Sequence, residues 1–399
     1  MRVFSHCSPQ YFLGCGLLLM TLLSCQEHVQ EPLYWSVPYA DECAFYPVAW
    51  QGLLVLPSYC GGEPCLRAVN QLNGEEAWRL RNPALRSLFY NSTPYLGGER
   101  LVFAAGNQLL AIAVSSGKLV WQYTHPRAGD PYIFGDGQYV YRSYPAAGSN
   151  GFEIYQFALD DGKAEHIQTL TVRNSASSLV RSPVSMKQQG SRLLVSSVVD
   201  YLAQKGTDSY LLSWQKDQPA EHHKHEIYPD NAKGYGATLP PLSINRHLYC
   251  MAYNELVSYD PFGKAEIWRT PLPRELLTSR LSWYDGMLYA ATEDAVLYAI
   301  EAKSGEIRWK VDIAGTPSRI FHTKAYLFLV GGSDRLLYQI SRDKQQVIAT
   351  YQSRAAPGFE RIAYISKDIA ILSDGQSWHG IPLTDLPDSL ELRQQFDVQ

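Results

Sequence analysis

A tight turn carrying glycine, followed by tryptophan four residues on, returns along this chain at a nearly fixed interval. No other feature limits the possible folds as much. It reads "NGEEAW" at 73–78, "SGKLVW" at 116–121 and "SGEIRW" at 304–309. Aligning the turn glycines gives Gly74, Gly117, Gly162, Gly263 and Gly305, separated by 43, 45, 101 and 42 residues. The long step spans two units, the skipped one being the glycine-free segment 211–227. A degenerate turn with Gln345 in the glycine's place follows 40 residues after Gly305, and a partial unit at 377–385 ends the series. Eight units of about 44 residues signal a propeller or a similar array.

Each unit has the same internal pattern. In 280–311, "MLYAA", "VLYAI" and "IRWKV" alternate with period two, and "YDG", "EDA" and "KSG" supply tight connections. With the strand before "YDG" this predicts a four-stranded antiparallel meander. One such sheet cannot bury both faces alone, whereas eight packed radially can. Glycine at the third-to-fourth turn permits a left-handed backbone. Trp78, Trp121, Trp268 and Trp309 fall in outer strands, where a large ring can wedge against the neighbouring blade. The repeat is therefore structural. The last unit offers only three strands, and "PLYWSV" at 32–37, with Trp35, is the preferred missing outer strand over "SLELRQQF" at 389–396. That closure ties the two ends of the chain together and removes an exposed edge. The expected fold is an all-β, eight-bladed β-propeller of four-stranded antiparallel blades, closed by an N-terminal strand and monomeric.

Composition agrees: 27 Tyr and 9 Trp favour strands, while 29 Gly and 23 Pro supply turns. A net charge of −4 argues against a general nucleic-acid binder, which needs a basic surface.

The N-terminus carries an address. Residues 11–24, "YFLGCGLLLMTLLS", have the length of a secretory apolar region and are too short for a spanning helix. The run ends Leu22-Leu23-Ser24-Cys25, which resembles the lipobox of bacterial lipoproteins and makes Cys25 the lipidated residue. Several acyl chains on one residue anchor a protein stably. The expected organisation is a signal peptide at 1–24, a tether at 25–32, the propeller at 33–385 and a polar tail at 386–399. Gln26, in place of Asp, favours the outer membrane. Export puts the remaining cysteines in an oxidising compartment. Cys60 and Cys65 flank a Gly-Gly loop in "SYCGGEPC" and are expected to pair; zinc lacks a second ligand pair. Cys250 reads as a buried apolar residue, and the state of Cys43 stays open.

The stretches "LYAIEAKSGEIRWKV" and "LLAIAVSSGKLVWQY" resemble the tryptophan-docking repeats of quinoprotein-type (PQQ-like) β-propellers. With the lipobox, the eight repeats across 33–385 resemble the BamB family of propeller lipoproteins in the β-barrel assembly machinery. The resemblance implies a lipid-anchored outer-membrane scaffold, on the periplasmic side, contacting barrel-assembly components or another envelope complex. The repeat specifies a fold far better than a function.

Nothing in the sequence marks catalysis. Adjacent cysteines, a haem-attachment motif, G-x-S-x-G, H-E-x-x-H, a P-loop and a dinucleotide fingerprint are all missing. A non-enzymatic protein without cofactor or metal is expected, with a divergent quinoprotein as an alternative. His223 and His225 share a strand face in "EHHKHE" and read as a solvated polar edge rather than metal ligands. Three second-to-third loops are long: 58–65, 143–151 and 200–208. On the same face, Pro47, Pro94, Pro183 and Pro241 open four units, and Arg280, Arg319 and Arg361 open three others, with Arg181 nearby. Such arginines suit carboxylates of a partner chain or an anionic, glycan-related ligand. The alternative is that each pairs with a neighbouring acid or lies over an aromatic ring.

Overall fold

The computed structural model describes residues 34–40, 45–88, 94–148, 150–172, 178–188, 191–202, 206–231, 239–252, 254–273, 281–292, 294–315, 317–351, 358–366 and 368–382. Cys25, Cys43, Arg280, the signal peptide, the tether and the C-terminal tail lie outside them. The chain is an eight-bladed propeller of antiparallel sheets. Blade 1 comprises Val48–Trp50, Leu53–Tyr59, Pro64–Asn70 and Glu76–Leu80, from inner to outer strand. Blades 2 to 7 occupy 95–124, 134–171, 178–231, 242–271, 282–312 and 321–351. Blade 8 takes Arg361–Ile365, Ile369–Ser373 and Ser377–Pro382, and its outer strand is Trp35–Pro38 from the other end of the chain.

Eight apolar clusters make the core, one in each seam between adjacent blades. Leu54, Leu56 and Val69 of blade 1, for example, pack with Trp35, Ile371 and Trp378 of blade 8. Every blade buries both faces, so the ring is stable only as a ring.

The repeated tryptophan and glycine meet across these seams. Trp35 of blade 8 lies on Gly74 of blade 1, Trp78 on Gly117 of blade 2, Trp121 on Gly162 of blade 3, and Trp268 of blade 5 on Gly305 of blade 6. A β-carbon on any of the four glycines would come within 3.0 Å of the indole. Each indole N–H donates to the carbonyl three residues before its glycine: Gln71 (3.1 Å), Val114 (2.9 Å), Leu159 (2.9 Å) and Ala302 (3.1 Å). The glycines also hold φ of +67 to +76°. Turn conformation and docking floor therefore both demand glycine at one position. Opposite each tryptophan on the third strand stands a small residue: Gly380, Ala68, Ala111, Ser258 and, for Trp309, Ala299. Trp35 thus occupies the outer-strand station in blade 8.

Some local readings need correction. In blade 5 the left-handed residue is Lys264 (φ +53°), one position after Gly263. In blade 7 the left-handed residue of the turn is Gln345 (φ +57°), and Trp309 of blade 6 packs beside Tyr289, with 5.9 Å between ring centroids. The segment 200–208 is mostly ladder, because the strands Ser191–Leu202 and Gly206–Gln215 run on past the rim. The inner strand of blade 4 is split into Ser178–Val180 and Val184–Gln188, both paired with Ser191–Leu202. The break contains Pro183, which has no N–H for the ladder.

Candidate functional site

Antiparallel winding places the second-to-third loops and the outer-to-inner connections on one face, here the funnel face. The inner hairpins and tryptophan-docking turns share the opposite face. On the funnel face, Cys60 and Cys65 are joined by a disulfide across 5.8 Å between α-carbons. The second-to-third loop of blade 3 lies on the same face, between strands Tyr139–Pro145 and Gly151–Ala158.

The three described arginines at the blade entries each lie over an aromatic ring. Arg181 is 4.6 Å from the centre of Tyr132 and pairs with Asp130 at 2.9 Å. Asp130 also accepts the backbone N–H of Ser182 (2.6 Å), so this buried pair locks the entry to blade 4. Arg319 is exposed, 5.6 Å from the centre of Tyr46 and 5.3 Å from that of Phe321. Arg361 is buried, 5.8 Å from Tyr39. Tyr39 and Tyr46 flank the connection from the closing strand to blade 1. That connection brings blade 7, blade 8 and blade 1 together at the funnel mouth. Such stacking contributes about 0.5–2 kcal/mol per pair, depending on exposure.

Two contributors went unseen in the sequence. Arg142, on the second strand of blade 3, is fully buried and donates to the carbonyls of Asp130 (2.9 Å), Gln108 (2.7 Å) and Gly106 (2.6 Å). It staples blade 3 to the hairpin of blade 2. Asp130 sits in an irregular connection, and its partner is 51 residues away. No local motif signals either.

Of the histidines of "EHHKHE", His222 is exposed, while His223 and His225 are half-buried towards blade 5. His223 stands opposite Ser213 on the third strand. His225 stacks on Tyr259 at 4.1 Å, and burial, opposed in part by Glu266, lowers its pKa. Among the described residues, no group of three His, Cys, Asp or Glu side chains has a metal-holding arrangement.

His322, on the inner strand of blade 7, lies between Tyr284 (5.4 Å) and Tyr289 (5.2 Å), with Ser282 on its Nε2. Burial first, then the positive charges of Arg342 and Arg319, push its pKa down to about 4. The folded state therefore holds the neutral ring. The resulting stability is fully present above the unfolded value near 6.5 and disappears as pH falls toward 4. Between pH 7 and 4.5 this group alone is expected to withdraw about 2 to 3 kcal/mol. Urea melts of wild type and His322→Gln at both pH values check this: the variant's stability should fall less by that difference, and equal slopes would refute it.

The fold and its docking pattern define a class: ring-closed propellers of tryptophan-docked blades. Within that class, the family described as outer membrane protein assembly factor BamB matches residues 62–208 and 212–358, and the chain belongs to this family. A search of curated proteins returns no match. Among solved structures, the chain is similar to BamB from Moraxella catarrhalis, with 12% identity and a TM-score of 0.53 over 87% of this chain and 97% of that one. It is also similar to Sqt1 from Saccharomyces cerevisiae, with 13% identity and a TM-score of 0.59 over 88% and 98%. A third is the dihydro-heme d1 dehydrogenase NirN in complex with DHE, with 12% identity and a TM-score of 0.58 over 83% and 74%. Proteins this different share the ring alone, so function must be argued from the family and the faces.

Proposed function

We propose that the protein is a non-enzymatic scaffold, anchored through Cys25 to the periplasmic side of the outer membrane, that assists outer-membrane protein assembly by contacting barrel-assembly components. The observation that carries this reading is the family match along both halves of the propeller. Two features support a docking role for the funnel face. Its rim is stiffened by the disulfide hairpin and by the Arg181–Asp130 and Arg142 locks, so little ordering entropy is lost on contact. Its mouth offers Arg319 beside Tyr46, and arginine with tyrosine is the pairing enriched at binding hot spots. Arg280, outside the described residues, is assigned to the same partner surface, and the buried Arg361 supports it through Tyr39.

The test is purification of the C-terminally tagged, membrane-anchored protein from its host in mild detergent, with identification of what accompanies it. Stoichiometric barrel-assembly subunits are expected, and Arg319→Glu should cut their recovery about tenfold or more, as loss of a central contact does. Recovery of a transporter or a glycan-handling system in their place would overturn the assembly reading. Cys25→Ser should release the protein from membranes; membrane retention of that variant would sink the lipid anchor.

A further inference from the structure

The seam between blades 6 and 7 departs from the docked seams. The third-to-fourth turn of blade 7 is built on Gln345, not glycine, and Trp309 of blade 6 remains half-buried. Beside it lies a cleft of about 730 Å³ whose lining includes Tyr284, Asp285, Trp309, Lys324, Arg342 and Asp343. The cleft opens on the turn face, away from the funnel surface assigned above to protein contacts.

Arg342 is the central group. Its side chain is 14% exposed, yet most of what holds it is neutral. The guanidinium stacks 4.3 Å over Tyr284, donates from Nε to the Tyr289 hydroxyl (3.2 Å) and from Nη1 to the Lys324 carbonyl (2.9 Å). Among the described residues the carboxylate it pairs with is Asp285, 3.7 Å from Nη2 with a side chain 80% exposed, a pair that solvent weakens. Two of the five N–H groups of an arginine are thus used in hydrogen bonds. The fork that remains matches a carboxylate in two-point geometry, and Lys324 adds a second positive charge.

The other lining groups narrow the ligand. The half-buried Trp309 ring offers a flat apolar face, while Asp285 and Asp343 accept hydroxyl hydrogen bonds. An aromatic acid would leave those two carboxylates facing an apolar edge, and a doubly charged phosphate would be repelled by them. A sugar acid uses every group. We propose that the cleft between blades 6 and 7 binds a uronic-acid-type sugar residue, its carboxylate on Arg342 and its ring on Trp309.

The experiment titrates the full-length protein in mild detergent with sodium D-glucuronate, followed by calorimetry and saturation-transfer NMR. D-glucose and benzoate serve as the neutral-sugar and aromatic-acid comparisons. Saturable glucuronate binding is expected, with both comparisons weaker by about tenfold, as loss of one charge-assisted contact predicts. Arg342→Gln should abolish the preference over glucose, and Trp309→Ala should weaken both sugars. Lys324→Gln, at an exposed site outside the packing, should lower the glucuronate preference several-fold even if Arg342→Gln fails to fold. Equal affinity for glucose and glucuronate, benzoate binding as tight as glucuronate, or indifference to both Arg342→Gln and Lys324→Gln would overturn the proposal. None of these outcomes bears on recovery of barrel-assembly partners.

Discussion

Gly117→Ala is expected to destabilise the propeller by about 2 to 5 kcal/mol, far beyond an ordinary glycine-to-alanine change. Two effects add. The residue holds φ at +67°, where an L side chain costs about 1–2 kcal/mol. The new methyl would also press into the Trp78 ring, and overpacking of that kind costs about 1–3 kcal/mol. Gly98→Ala separates them, because Gly98 has φ +56° and a β-carbon added there would meet nothing within 4 Å, so that variant should show the backbone part alone. Trp78→Ala should itself cost about 3 to 5 kcal/mol, as buried aromatic truncations do. In the double variant Gly117→Ala/Trp78→Ala the alanine meets empty space, so the combined loss should fall short of the sum. Equilibrium denaturation of the four variants is the measurement. Strict additivity would mean that ring and turn are not docked.

Trp35→Ala is expected to do more than lower stability. Trp35 is 7% exposed, rests on both Gly74 and Gly380, and donates its indole N–H to Gln71. Its loss should cost about 3 to 5 kcal/mol, like other buried tryptophans. It also removes the main grip of a four-residue strand that alone covers the edge of Ser377–Pro382. Tyr34, through its hydroxyl on His379 (3.2 Å), gives that strand a weaker second hold. Hydrogen exchange should therefore accelerate at 377–382 ahead of global unfolding, and the exposed edge should promote self-association. Trp121→Ala provides the comparison, since its strand is held within a continuous blade. If both variants exchange alike at 377–382, the closing strand is not held by Trp35.

How much of this was legible depends on whether the information is local. Strand alternation, tight turns and the 44-residue period are written within single units, because hydrogen-bonded hairpins join residues close in sequence. Eight blades, their four-strand grammar and closure by an N-terminal strand follow from that pattern, and the structure has them, with Trp35–Pro38 as the closing strand. The position of tryptophan in the outer strand was equally readable, as was its wedging against a neighbouring blade.

The pairings were not readable. That each tryptophan sits on the glycine of the following blade, so that the glycine is chosen for its missing β-carbon as well as its φ, is a contact between residues about 40 apart. It exists only once two sheets face each other at packing distance. The same holds for Arg181, whose partner Asp130 lies in the connection before blade 3, and for His225, which stacks on Tyr259 of blade 5. Nor could sequence separate Gly263 from Lys264 as the left-handed residue, because a one-residue shift in a turn leaves the repeat almost unchanged. By itself the sequence determined the unit, its number and how the ends meet, since these follow from short-range hydrogen bonding and hydrophobic alternation. The tertiary structure decided which seams are locked by docked tryptophan and which charges are already paired. It also decided where a seam opens into a cleft, because those depend on side chains from different blades competing for one space.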